Sequence, residues 1–162
     1  MARLNMPTDP AYLAAFGRVA LAHSHLELVQ RFLVRTLGDV SMIQALDATE
    51  SLRAADVRKR VRKLARQRQF PEDTLLRIDA LLGGATTLSR ERNDLLHRAV
   101  QLNRHGDFVQ KTQYHLWGPA PSCNDLEDLA RRIQQLAEEI NHERLRGFIR
   151  NACRDHPLRR AP

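Results

Sequence analysis

A dense polar patch at residues 90–97 interrupts an otherwise apolar segment and contains side chains suited to phosphodiester chemistry. Arg92, Asn93 and His97 stand in it with an Arg-x4-His spacing. On a helix, Asn93 and His97 project about 40° apart on one face, and Arg92 flanks them ~7.5 Å away along the axis. An imidazole exchanges protons near neutral pH, and a guanidinium can hold two phosphate oxygens. These three residues therefore predict acid–base chemistry on a phosphodiester without a metal ion.

The Arg-to-His spacing by itself carries little information, because the chain contains 7 His and many more Arg. In six pairs an Arg precedes a His by five to seven residues. Context distinguishes Arg92: a polar Asn follows it directly, and Leu95 and Leu96 would anchor the helix while the polar residues face outwards. Arg150 also precedes an Asn, but its partner His156 stands before a proline near the end of the chain. We therefore place the candidate site at Arg92, Asn93 and His97.

Two helices are predicted in the first half of the chain. After the N-cap and proline of residues 8–10, apolar residues recur at helical spacing until Gly38, which predicts a helix over about 10–37. A turn-like stretch containing Met42 and Leu46 follows. Ser51 can then cap a second helix, in which a thin apolar stripe lies beneath a series of basic residues.

A third helix should carry the polar patch. Pro71 opens it, and leucines and one isoleucine then recur at helical spacing until it ends near Arg98. The Gly83-Gly84 pair lowers helix propensity and indicates either a kink or close packing.

A β-hairpin and a long final helix complete the predicted elements. Residues 100–102 and 108–117 have strand composition and would turn at residues 105–107. Ser122 or Asn124 can cap the last helix, which we expect to continue through Leu145 towards Ile149.

These elements predict one domain over residues 1–162, with a core over about 10–150 and a basic C-terminal tail over about 153–162. We expect an all-α fold, an up-down bundle of four main helices with a β-hairpin inserted before the last helix.

The segment Arg92-Asn93-Asp94-Leu95-Leu96-His97 resembles the R-x4-6-H motif of HEPN domains, in which a polar residue follows the arginine. The order of helices is also similar over most of residues 10–150. The resemblance implies a metal-independent endoribonuclease that needs no cofactor and works as a homodimer, with the motifs of two subunits in one cleft. His97 would activate the ribose 2′-hydroxyl or protonate the leaving oxygen, Arg92 would stabilise the charged phosphorane, and Asn93 would orient the site.

The HEPN resemblance also implies a biological setting. Many HEPN proteins are toxins paired with a nucleotidyltransferase antitoxin or belong to antiviral defence systems, while others only bind. We therefore expect RNA as the substrate and a 2′,3′-cyclic phosphate as the product. A non-catalytic helical module that binds RNA or a protein is the alternative.

The positive charge of the chain is concentrated in one stretch. The formal net charge is +7, and residues 53–68 contain eight basic residues and one acidic residue, so this stretch accounts for the whole excess. Such a concentration is typical of a surface that binds a polyanion, and we predict RNA contacts by Arg58, Arg62 and Arg66. A solvated helix face in an arginine-rich protein is the equally weighted alternative.

Glu27 lies between two leucines of the first helix and should point partly into the bundle. A buried carboxylate needs a partner. It could support the site by orienting His97 or pairing with Arg92, but we favour the simpler contact with His23, one turn away.

Several other classes of protein are disfavoured. Two cysteines are too few for a metal motif or a disulfide scaffold, and the longest apolar run has six residues, against the ~20 of a membrane helix. We expect a cytoplasmic protein with no metal site and no membrane partner.

Overall fold

Six helices and a three-stranded antiparallel sheet occur in the part of the chain that the computed structural model describes, residues 8–96, 100–102, 108–111 and 117–158. The predicted all-α bundle with strands inserted before the last long helix is confirmed. The elements in chain order are α1 (Pro10–Gly38), α2 (Met42–Asp47), α3 (Ala54–Gln67), α4 (Glu72–Leu96), β1 (Val100–Leu102), β2 (Phe108–Lys111), β3 (Trp117–Pro119), α5 (Cys123–Leu145) and α6 (Phe148–Asp155).

Helix α1 is the central element, since it contacts each of the other five helices and packs most extensively against α5. The Asp9 side chain caps its first turn by accepting a hydrogen bond from the Ala11 N–H at 3.1 Å, and Pro10 occupies the first helical position. The helix ends where Asp39 adopts a left-handed backbone conformation with φ 50°. Its inward leucines, among them Leu26 and Leu33, are completely buried.

Two predictions for the segment between α1 and α3 are wrong. The stretch containing Met42 and Leu46 is a short helix, because Ser41 and Gln44 form a reciprocal capping box. Ser51 does not cap the next helix, which begins at Ala54 without a side-chain cap. The Thr49 carbonyl accepts a hydrogen bond from the N–H of Leu52 at 3.1 Å, so Ser51 lies within the turn that follows α2.

Helix α4 runs through the Gly83-Gly84 pair without interruption. A Cβ atom at Gly84 would lie 3.3 Å from Cδ2 of Leu136 on α5, whereas a Cβ at Gly83 would meet open space. Close packing against α5 therefore explains Gly84. The predicted end near Arg98 lies outside the described residues.

The sheet has a third strand that the prediction of a hairpin did not include. Strand β2 pairs with β1 and β3, with Val100 opposite Gln110 and Lys111 opposite Trp117, so the predicted strand 108–117 contributes to two strands. The predicted turn at residues 105–107 lies outside the described part. The Gln110 side chain donates a hydrogen bond to the Leu95 carbonyl at 2.9 Å, which attaches the sheet to the end of α4.

The last predicted helix is divided into α5 and α6. Ser122 caps α5 as predicted, in a capping box with Asp125. At the break, a carboxylate oxygen of Glu143 accepts a hydrogen bond from the N–H of Phe148 at 2.7 Å. A Cβ at Gly147 would lie only 2.8 Å from the Glu143 Cα, so the close approach requires glycine. The predicted tail from residue 153 is helical as far as Asp155.

Across the described ranges, the helices are too short or too polar to cross a lipid bilayer.

Candidate functional site

A buried polar contact joins α1 to α4 beside the predicted motif. His23 of α1 is only 3% exposed, and its Nε2 lies 3.1 Å from Oγ of Ser89 on α4. The Ser89 hydroxyl also lies 2.7 Å from the Ala85 carbonyl, to which it can donate. A polar side chain buried at this depth needs such partners, so the contact fixes the register of the two helices.

Glu27 lies one turn after His23 on α1. Its Oε1 is 3.6 Å from Nδ1 of His23, so the contact that we favoured from the spacing is present. The Glu27 side chain is 36% exposed, which leaves one side of the carboxylate in contact with solvent. Its predicted support of His97 stays a prediction, because His97 lies outside the described residues.

Arg92 lies three residues after Ser89, on the same side of α4 and one turn further along. Its Nη1 donates a hydrogen bond to Oδ1 of Asn93 at 2.8 Å, so two of the predicted catalytic residues are in contact. Its Nε is buried and has no hydrogen-bond partner among the residues that the structure describes. The guanidinium is half-buried and Asn93 is exposed, which places the pair at the rim of the bundle.

Burial is the main reason that His23 favours its neutral form. Burial lowers the pKa of His23, and the positive charges of Arg92 and Arg58 lower it further, while the carboxylate of Glu27 opposes them. Arg92 is therefore near enough to His23 for its charge to act on the imidazole. The result is a single electrostatic cluster, His23, Glu27, Ser89 and Arg92, which we call the α1–α4 cluster.

Arg58 is not on the exposed face that the sequence predicted. It is 6% exposed, and its Nη1 donates to Oε1 of Gln30 on α1 at 3.3 Å. The reason is its position on the helix: Arg58 lies three residues before Val61, on the buried side of α3. The interior burial also lowers the pKa of its guanidinium, with a further contribution from Arg62. The prediction that Arg58 belongs to an exposed basic face is thus wrong.

Arg62 and Arg66 lie towards solvent, as predicted. Arg62 Nε donates to Oδ1 of Asp79 on α4 at 2.5 Å, and Arg66 is exposed. With Lys59 and Lys63 they line an open depression of about 490 Å³. We call Lys59, Arg62, Lys63 and Arg66 the basic surface. It is formed by a different helix from the one that bears Arg92.

Sequence reasoning identified His23 only as a partner of Glu27 and missed its burial against Ser89, and it missed Gln30, the partner of Arg58. Both occupy positions of the inward stripe of α1, together with Val19, Leu26 and Leu33. A polar residue at a core position of an amphipathic helix was the signal that could have identified them.

No group of three or more His, Cys, Asp or Glu side chains suitable for a metal ion occurs among the described residues. Comparison with family models, curated proteins and solved structures finds no match to this chain.

The depressed pKa of His23 predicts a pH dependence of folding stability. The unfolded imidazole titrates near its ordinary pKa of about 6.5 and the folded one at lower pH, so the unfolded state binds more protons in between. The free energy of unfolding should therefore fall as the pH drops below about 6.5 towards the folded pKa. Urea unfolding at pH 7.5 and 5.5 should show a larger loss for the wild type than for His23→Gln. Equal losses in both proteins would contradict the assignment.

Proposed function

We propose that this protein cleaves RNA by metal-independent phosphodiester chemistry of the HEPN type. The observation that carries the proposal is the contact of Arg92 with Asn93 at the rim of the bundle. The guanidinium is half-buried, and besides the N–H group that binds Asn93 it has others that can donate to an oxyanion.

The residues have distinct roles in this proposal. The 2′-oxygen of the ribose attacks phosphorus and the 5′-oxygen leaves, which gives a 2′,3′-cyclic phosphate and a free 5′-hydroxyl. His97 takes the proton of the 2′-hydroxyl or supplies one to the 5′-oxygen. Arg92 stabilises the negative charge that develops on the phosphorane, and its hydrogen bond to Asn93 restricts its orientation. No water or oxidant is consumed in this step.

The α1–α4 cluster links Arg92 to the interior of the bundle through His23. The carboxylate of Glu27 raises the pKa of His23 and the charge of Arg92 lowers it. Two copies of the chain, with their motifs facing each other, would supply a pair of such sites in one cleft. A role as the toxin of a toxin–antitoxin or defence system, with a nucleotidyltransferase as antitoxin, belongs to the same proposal.

Cleavage of a fluorescent single-stranded RNA in EDTA tests the proposal. His97→Ala should lower the rate about 10²-fold or more, because it removes the acid–base group. Arg92→Gln should lower it by a factor on the order of 10² because charge stabilisation is lost. The exposed His25 on α1 provides the matched control, and His25→Ala should cleave at the wild-type rate.

A 2′-O-methyl RNA should resist cleavage, and the product should carry a 2′,3′-cyclic phosphate. Equal cleavage by wild type and His97→Ala would remove His97 from the mechanism. Absence of cleavage by the wild type, with RNA binding retained, would favour the non-catalytic module instead.

The basic surface is the observation that favours this second function, RNA binding without chemistry. Its four cationic side chains project from one side of α3, and Arg62 is partly neutralised by Asp79. Lys63 and Arg66 are both exposed, so they are the better positions for contact with phosphates.

Reversal of charge at Lys63 and Arg66 tests RNA binding separately from cleavage. Each phosphate contact contributes about 0.7 to the slope of log affinity against log salt for single strands. Lys63→Glu with Arg66→Glu should therefore weaken binding and reduce the slope by about 1.4. Arg146→Glu, at an exposed arginine in the turn after α5, should leave the slope nearly unchanged. A similar reduction in both variants would show that overall charge, and not this surface, governs binding.

A further inference from the structure

A second basic site lies at the end of the bundle where α1, α5 and α6 meet. It is a cleft of about 320 Å³ that contains three arginines from three helices: Arg35 of α1, Arg144 of α5 and Arg150 of α6. Asp39, which follows α1, also lines it. One carboxylate and three guanidiniums give the lining side chains a formal net charge of +2.

Arg144 is the fixed member of this cleft. It is only 7% exposed, and its guanidinium lies over the ring of Phe32 at 4.8 Å from the centroid. Its Nη2 donates to Oδ1 of Asn141 at 2.6 Å, while Nε is buried with no hydrogen-bond partner in the described part of the chain. Held by Phe32 and Asn141, Arg144 presents a fixed cationic side chain to the cleft that it lines.

The positive charges of Arg35 and Arg144 lie close together in this cleft. Burial lowers the pKa of Arg144, and the positive charge of Arg35 lowers it further, so the two guanidiniums are close enough to repel each other. A bound anion would offset this repulsion.

The helix dipoles favour the positions of only two of the three arginines in this cleft. Arg35 and Arg144 lie in the last turns of α1 and α5, where a cation is favoured by the partial negative charge of the helix end. Arg150 lies in the first turn of α6, where the helix dipole disfavours a cation. Its presence at the same cleft requires a further reason.

We propose that this cleft binds a phosphate group, as inorganic phosphate or as the terminal group of a phosphate monoester. A dianion balances the net charge of +2, and tetrahedral phosphate oxygens can accept hydrogen bonds from several guanidiniums at once. The cleft is separate from the α1–α4 cluster, since Arg35 lies twelve residues after His23, ~18 Å along α1. The proposal therefore does not rest on RNA cleavage.

Isothermal titration calorimetry with inorganic phosphate and with ribose 5-phosphate, at ionic strength held constant with chloride, tests the proposal. At least one of the two ligands should show saturable binding at one site per chain. Tighter binding of ribose 5-phosphate would identify a monoester as the ligand class, and tighter binding of phosphate would identify the free anion. Monoester affinity should fall between pH 7.5 and 5.5, because the second phosphate pKa is about 6.

Arg35→Gln and Arg150→Gln should each weaken binding about tenfold or more, since each removes charge-assisted hydrogen bonds. Arg146→Gln removes one exposed positive charge that does not line the cleft and should change the affinity less than twofold. Arg144→Gln should abolish binding. If this variant does not fold, the variants at Arg35 and Arg150, which are both exposed, decide the outcome. Absence of saturable binding to both ligands, or an equal loss in Arg146→Gln, would overturn the proposal.

Discussion

The buried contact between His23 and Ser89 is the constraint on which the candidate site depends. It lies among aliphatic side chains, where a polar pair that loses its partner is strongly disfavoured, so it sets the register of α1 against α4. Glu27, one turn along α1, contacts the imidazole of His23, and the positive charge of Arg92, one turn along α4 from Ser89, acts on the same imidazole. The buried contact thus couples one acidic and one basic side chain to a single interior histidine.

Burial determines which arginines of residues 53–68 bind other parts of the protein and which are available to a polyanion. Arg58 and Arg68 belong to the stretch that holds the excess positive charge, yet both are nearly buried. Arg58 binds Gln30, and Arg68 donates to the carbonyls of Leu37, Cys153 and His156. A guanidinium can be buried in this way because its five donors can satisfy several exposed helix-end carbonyls at once. The charge count of residues 53–68 therefore overstates the area available to a polyanion.

The parts of the fold that sequence predicted correctly depend on local signals, such as the Asp9-Pro10 start of α1 and the Ser122 capping box of α5. Two of the errors passed over local signals, since α2 starts at the Ser41–Gln44 capping box and Arg58 shares the buried side of α3 with Val61. The division at Gly147 depends instead on how closely Glu143 approaches. At the candidate site, spacing predicted the His23–Glu27 contact, while Ser89 became a partner only through the packing of α4 on α1.

The charges of Arg92 and Glu27 both act on His23, and the titration of His23 by NMR tests this coupling most directly. Arg92→Gln removes a positive charge that disfavours the imidazolium, so the pKa of His23 should rise. Glu27→Gln removes the opposing carboxylate, so the pKa should fall. A His23 pKa that does not move in Arg92→Gln would contradict the account, because Arg92 would then lie too far from the cluster for its charge to matter.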